Sequence, residues 1–267
     1  MESQVSAFWV PKAGAAEAEY EDAFLYEDGV GDDDQHFLRV IVADGASESL
    51  LASRWARHLT TIFLAAAENL GTADGFTAAY QRAAAGWEAE LARYKEERAD
   101  RDSPIQWYEE PGLARGAYST LLAAEFRWAV DAGNARWTAA AVGDSCLFQV
   151  RGGELTHAVP MVSSADFSNQ PALLSSNGTE AEVLGRHLIT KTGDLAPEDT
   201  YYLATDALSA WFLRGVETGE AKDQPWRPLR ELDDSDQYEF RELIRKLRDN
   251  GRIRDDDTTL VRVDIGM

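Results

Sequence analysis

The sequence holds one cysteine, Cys146, among 267 residues. An internal disulfide needs two and a thiolate zinc site needs more, so both are excluded. The lone thiol fits a reducing compartment, and the reading is of a cytoplasmic protein. Basic residues are scarce: 26 Lys and Arg face 47 Asp and Glu, a formal charge of −21. A nucleic-acid binder must neutralise phosphates with clustered Lys and Arg. No nucleic-acid partner is therefore expected, and a cation is the natural counterpart. No apolar stretch reaches the roughly 18 residues that a membrane span requires. The opening residues, MESQVSAFWVPKAG, lack a basic segment followed by an apolar run, so no signal peptide is expected. Repeats and low-complexity segments are absent too. What is present is material for a core: 45% hydrophobic residues, including 8 Trp, which argues against wholesale disorder.

The pattern predicts one domain over 1–267, since no linker-like stretch divides the chain. HFLRVIVAD, His36 to Asp44, is apolar and β-branched and reads as a buried strand ending in Asp-Gly. Helical spacing follows over Ser47 to Glu68, with Ser47 or Ser49 as its cap, and again over Asp74 to Arg98. Arg98 to Gly116 reads as a long loop. Strands are expected at Tyr118–Val130, Ala135–Val142, Ser145–Val150, Gly185–Thr192, Thr200–Thr205 and Thr258–Ile265. The turns Asp131 to Asn134 and Arg151 to Glu154 suggest hairpins. A short helix over Ala207–Leu213, a loop over Glu217–Asp236 and an amphipathic helix over Asp236–Asp249 complete the tally. Two early helices, many central strands and one late helix fit an α+β arrangement better than an alternating α/β one.

Acidic residues recur at the ends of these elements. Glu21-Asp22 precedes an apolar segment, Asp44 closes VIVAD, Asp206 closes YYLATD, and Asp256-Asp257 precede TTLVRV. Strand ends are rigid platforms from which side chains can converge. Converging carboxylates repel unless a cation sits between them. Hard divalent ions such as Mg²⁺ or Mn²⁺ take oxygen ligands of this kind. Gly45 leaves room for close backbone approach, so its carbonyl is a further candidate ligand. Alone, an Asp-Gly after a strand is more often a plain turn, and Asp255 to Asp257 more often a solvated loop. Trp55, Trp87, Trp128 and Trp137 read as core residues, His58 and His157 as surface or capped groups, and Cys146 as a small buried hydrophobe. The Gly143-Asp144-Ser145 turn reads as structural.

Taken in order, these pieces resemble the type 2C (PPM-type) metal-dependent serine/threonine protein phosphatases, as a divergent, bacterial-like member. The segments that carry the resemblance are Glu21-Asp22-Ala23-Phe24, Val42-Ala43-Asp44-Gly45, Tyr118-Ser119-Thr120-Leu121, Ala141-Val142-Gly143-Asp144-Ser145, Leu203-Ala204-Thr205-Asp206 and Asp256-Asp257-Thr258-Thr259. The resemblance implies an αββα sandwich of two antiparallel sheets flanked by helices, and a binuclear Mn²⁺ or Mg²⁺ centre with two ions per chain. It implies Glu21, Asp22, Asp44, Gly45, Asp206 and Asp256 as metal-site residues, with Asp44 and Asp206 as the catalytic carboxylates. It also implies hydrolysis of phosphoserine or phosphothreonine in proteins by a hydroxide bridging the ions, which needs no Cys-x5-Arg signature. The implied partners are a phosphorylated protein substrate and a cognate Ser/Thr kinase. No membrane partner is expected, and the protein reads as a monomer.

The sequence departs from the family at several points. The family often carries a phosphate-gripping Arg four residues before the first acidic pair. Glu17 stands there instead, leaving Arg54, Arg115 and Arg214 as substitutes. The glycines expected after Asp44-Gly45 are Ser47 and Glu48, and Ala207 follows Asp206. No acid lies in Gly112–Ala117, where some members hold a third-metal ligand. These departures leave a second reading, a weak or inactive phosphatase-fold module that binds or regulates a partner. A third reading is a hydrolase of some other phosphoester. The long loops are expected to carry specificity, and the acidic surface should disfavour acidic phosphopeptides.

Overall fold

A strand as rich in apolar residues as HFLRVIVA must be covered on both faces, and the computed structural model shows how. It describes residues 1–31, 34–129, 135–168, 170–219, 224–233 and 237–266. In chain order the strands are β1 (Ser3–Val10), β2 (Ala23–Val30), β3 (His36–Ala43), β4 (Tyr118–Ser119), β5 (Leu121–Trp128) and β6 (Arg136–Val142). They continue as β7 (Cys146–Arg151), β8 (Glu154–Val159), β9 (Leu174–Ser175), β10 (Ile189–Asp194), β11 (Thr200–Ala204) and β12 (Thr258–Ile265). The helices are α1 (Ala52–Leu64), α2 (Ala73–Asp100), α3 (Glu110–Arg115), α4 (Ala181–His187), α5 (Asp206–Thr218), α6 (Trp226–Arg230) and α7 (Gln237–Asp249).

Two five-stranded antiparallel sheets form, one ordered β1-β12-β11-β7-β8 and the other β10-β6-β5-β3-β2, with β4 and β9 as a small separate pair. Alternation along each strand sorts the side chains. On β3 and β5, Leu38, Val40, Val42, Leu122 and Phe126 meet Leu147, Tyr201, Leu203, Val261 and Val263 between the sheets. Ile41, Ala43, Leu121 and Ala123 turn outward against Trp55, Leu59 and Phe63 of α1 and Phe76 and Tyr80 of α2. The outer face of the other sheet takes α5 and α7 through Phe148, Tyr202, Phe212, Phe240 and Ile244. Each such large apolar side chain contributes roughly 1.5–3 kcal/mol on burial. The result is the expected α+β, αββα sandwich of two antiparallel sheets flanked by helices.

One polar cluster joins a sheet to its helices. Arg39 and Glu125 lie opposite each other in the β3–β5 register. The Arg39 Nη2 donates to Glu125 Oε2 at 2.6 Å, and Nη1 donates to the carbonyls of Leu64 (2.9 Å) and Ala66. These carbonyls close α1, where helix geometry leaves acceptors without partners.

Several boundaries differ from expectation. Neither Ser47 nor Ser49 caps α1. Leu51 stands at the N-cap, and the Ser49 hydroxyl instead donates to Ala46 O and accepts from the Tyr118 amide. Thr72, not named from sequence, caps α2 by accepting from Gly75 N at 3.1 Å. The expected loop after Arg98 contains α3, and the expected loop after Glu217 contains α6. The strand expected from Gly185 is helical to His187 and extended only from Ile189. The expected hairpin at Arg151 to Glu154 is present, with Gly152 and Gly153 both at positive φ, 59° and 80°. The Asp131–Asn134 turn lies outside the described residues. Trp55, Trp87, Trp128 and Trp137 are buried, as is Cys146. Among the described residues, no helix is long and apolar enough to cross a membrane.

Antiparallel register decides where the acidic ends go. Ala23 pairs with Ala43, Leu121 with Val142, and Ala204 with both Cys146 and Leu260. The start of β2, the end of β3, the start of β5, the β6–β7 turn, the end of β11 and the start of β12 therefore share one edge of the sandwich.

Candidate metal centre

Three carboxylates meet at that edge. Asp44, Asp144 and Asp206 each offer an oxygen, and these oxygens lie within 4.8 Å of one another. Asp44 is held through its backbone. Its amide donates to Thr120 Oγ1 (3.2 Å), and its carbonyl accepts from Thr120 N and Ser119 Oγ, both at 2.8 Å. The break between β4 and β5 at Thr120 thus serves as the anchor. Thr120 Oγ1 also pairs with Ser145 Oγ at 2.8 Å, which fixes the β6–β7 turn carrying Asp144. Gly143 makes that turn possible. Its φ is +102°, and a Cβ there would lie 2.5 Å from Thr120 Cγ2. Asp206 is the first residue of α5, after the N-cap Thr205.

Burial and crowding leave these groups short of partners. Asp144 is 1% exposed, and neither of its carboxylate oxygens has a hydrogen-bond partner. Asp206 Oδ1 and Asp22 Oδ1 are likewise buried and unpartnered. Burial pushes Asp144 up to about 7, with the Asp206 charge adding to it. Burial also raises Asp44, helped by Asp22, Asp206 and Asp144. Asp22 is raised by burial and by Asp257 and Asp206, against a hydrogen bond from Thr259. Asp206 is raised by burial, with Arg254 opposing. Buried carboxylate oxygens with no donors are an arrangement that a divalent cation satisfies, and an all-oxygen donor set suits Mg²⁺ or Mn²⁺. The residues therefore fit a hard dication.

The other predicted site residues occupy a surrounding layer. Asp22 Oδ2 accepts from Thr259 Oγ1 at 2.6 Å, and Tyr20 bonds the same hydroxyl. Gly45 abuts the backbone of Glu21, where a Cβ would come within 2.7 Å of the Glu21 carbonyl. The Glu21 side chain pairs with Lys12 Nζ at 3.2 Å and accepts from Ser47, which lines the cleft. Asp256 lines the cleft above the triplet. Asp257 points elsewhere and fastens the chain, accepting from Lys12 N (2.8 Å) and Glu21 N (2.6 Å).

The cleft over the carboxylates measures about 600 Å³ and is lined by Asp44, Asp144, Asp206 and Asp256 with Arg115 and Arg254. Glu17, at the position of the expected arginine, pairs with Arg241 at 2.8 Å on the surface. Of the three substitutes expected from sequence, only Arg115 lines this cleft. Arg54 pairs with Glu97 and lies over the Tyr94 ring, and Arg214 is exposed on α5.

A family model for protein phosphatase 2C matches residues 15–254. The chain belongs to that family. No curated protein gives a significant match. Among solved structures, the catalytic domain of the serine/threonine protein phosphatase PstP, in complex with two manganese ions, matches at TM-score 0.59 and 17% identity over 99% of each chain. A variant of a bacterial serine phosphatase matches at TM-score 0.57 and 15% identity, over 99% of this chain and 98% of that one. The S. agalactiae serine/threonine phosphatase matches at TM-score 0.51 and 14% identity, over 99% of this chain and all of the other. At such identities the likeness shows a shared fold.

Two residues of this candidate site in a protein phosphatase 2C family member were missed from sequence. Asp144 read as part of a structural turn. That holds for Ser145, which anchors Thr120, but the Asp144 carboxylate joins the triplet. The available signal was an acid placed two residues before a strand, the same position as Asp256 before β12. Arg254 carried no signal, because only the path of the chain from α7 brings it to Asp206.

Proposed function

We propose that this chain is a metal-dependent phosphatase acting on phosphoserine or phosphothreonine in proteins, using two Mn²⁺ or Mg²⁺ ions. The observation that carries the reading is the carboxylate triplet Asp44, Asp144 and Asp206 on the floor of an open cleft, with both oxygens of Asp144 and one of Asp206 buried and unpartnered. Family membership supports the reaction class. In this reading Asp44, Asp144, Asp206 and Asp256 hold the ions, with the Gly45 carbonyl and Asp22 behind them and Glu21 contributing at the rim. Bound there, dications supply a water acidic enough to act as hydroxide near neutral pH and offset charge on the phosphoryl oxygens. The protein's own part is positional. Thr120, Ser119 and Ser145 pin Asp44 and Asp144, and α5 presents Asp206 at its first turn. The open cleft admits a phosphorylated side chain, and the acidic surface favours substrates with basic flanks. Residues 1–267 act as one unit in this proposal, because the site draws on elements from Asp22 to Asp256.

The test is phosphate release from a phosphothreonine peptide with and without Mn²⁺. Mn²⁺-dependent release that falls by at least about 10²-fold in Asp44→Asn supports the proposal. Release that ignores either the metal or the substitution sinks it. One observation favours the non-catalytic alternative: Glu17 is committed to Arg241 rather than replaced by a cation. Calorimetric Mn²⁺ binding without turnover of any phosphopeptide or of p-nitrophenyl phosphate would select that alternative.

A further inference from the structure

A phosphate brought to a cleft floored by four acids needs a protein cation beside it, and two arginines line this cleft. Arg254 is the one at the reacting end. Its Nη2 contacts Asp206 Oδ2, while its side chain remains 45% exposed and Asp206 is 12% exposed. The same guanidinium lowers the proton affinity of Asp144, so it stands within electrostatic reach of two of the three carboxylates. Asp206 keeps its other oxygen buried and unpartnered. The pair is therefore a half-satisfied contact, with a half-exposed cation on one side and a candidate metal ligand on the other.

We propose that Arg254 is the phosphate-binding cation of this cleft, stored on Asp206 until a metal ion takes that carboxylate. The proposal rests on the phosphatase reading. A dication at Asp206 and a guanidinium on the same carboxylate repel each other, so loading the site drives Arg254 off. The side chain is long and half exposed, and it swings into the cleft that it already lines. There its planar fork matches phosphate oxygens bidentately, which a lysine cannot do. Charge on the cleft wall is thus supplied late in the sequence, where the family's usual position holds Glu17 instead. Arg115 also lines the cleft but lies on α3, and it makes no ion pair with a carboxylate among the described residues.

The test measures binding rather than turnover. Mn²⁺ affinity is determined by calorimetry for the wild type, Arg254→Gln, Arg254→Lys and Arg115→Gln, and inorganic phosphate is then titrated into each Mn²⁺-loaded protein. Freeing Asp206 from a partly exposed ion pair should tighten Mn²⁺ binding about two- to fivefold in Arg254→Gln. Phosphate binding should weaken about tenfold in the same variant, since a charge-assisted hydrogen-bonding partner is lost. Arg254→Lys keeps the charge and the fold and should recover part of the phosphate affinity but not all. Arg115→Gln should leave Mn²⁺ affinity unchanged. If Mn²⁺ binds the wild type and Arg254→Gln alters neither affinity, the inference is overturned while the phosphatase reading stands. If Arg115→Gln, not Arg254→Gln, weakens phosphate, the inference is equally overturned. If the wild type binds no Mn²⁺, the metal-dependent reading fails and the inference falls with it.

Discussion

Replacing Asp144 with asparagine should move the stability of this protein in opposite directions depending on metal. The Asp144 oxygens sit within 4.8 Å of those of Asp44 and Asp206. Two unit charges at ~4.8 Å and an effective dielectric of ~20 repel by about 3.5 kcal/mol, so an ionised Asp144 faces up to about 7 kcal/mol from its two neighbours. Proton uptake and Arg254 relieve much of this, since Asp144 is pushed up to about 7 and is half neutral at that pH. A net gain of about 2 kcal/mol is expected for the isosteric, uncharged Asn at pH 7.5, the order of a one- to two-unit difference in proton affinity. In a domain of this size that raises the melting temperature by about 5 °C. With Mn²⁺ at ~100 times its dissociation constant, the wild type gains about 2.7 kcal/mol, or about 6 °C. A variant that binds ~100-fold more weakly gains only about 0.4 kcal/mol under the same conditions, or about 1 °C. Scanning calorimetry with EDTA and with Mn²⁺ checks both arms. The variant should melt higher than wild type without metal and lose most of the metal-induced shift. A variant that melts lower without metal, or keeps the full shift, refutes the claim that Asp144 belongs to the cation site.

Two further predictions concern the scaffold. Burial alone would raise Glu125, but hydrogen bonds from Arg127 and Arg39 hold it below its ordinary value of 4.5. The stability it contributes is therefore present above pH 4.5 and is lost as pH falls through the depressed value. Denaturant melts should show Glu125→Gln destabilised by about 3 kcal/mol at pH 7, where Arg39 loses its buried partner, with the gap closing as pH falls below 4.5 through the depressed value. A gap that stays constant with pH would contradict the pairing. Gly143→Ala should cost about 3 kcal/mol or more, because it adds a Cβ 2.5 Å from Thr120 at φ +102°. Gly152→Ala, at φ +59° with open space around it, should cost only about 1 kcal/mol. Equal losses for the two alanines would remove the close-approach argument.

Much of this architecture was legible in the chain because its strands are covered on both faces. His36–Ala43 and Thr258–Ile265 stand out as largely apolar, β-branched runs, and the structure starts both strands at the expected residues. Weakly patterned elements were not legible. β1 alternates half-buried residues along an edge, α4 is short, and the caps of α1 depend on what lies beside Ser49 rather than on its neighbours in sequence. The site divides in the same way. The acids at strand ends could be named one by one, yet nothing in their spacing said that the Glu21 side chain would turn to Lys12, or that Asp257 would fasten backbone amides.

The sequence by itself determined which carboxylates close or open strands, that the chain is too acidic for a nucleic-acid partner and too poor in cysteine for a disulfide or thiolate zinc site, and the order of motifs that resembles the protein phosphatase 2C family. Only the tertiary structure decided that Asp144 joins Asp44 and Asp206 and that Arg254 rests on Asp206. Strand ends are local facts, set by hydrophobic pattern and turn residues. Convergence is not local. It follows from antiparallel registers between strands far apart in the chain, and from which of several carboxylates each arginine finds within reach once those registers are set.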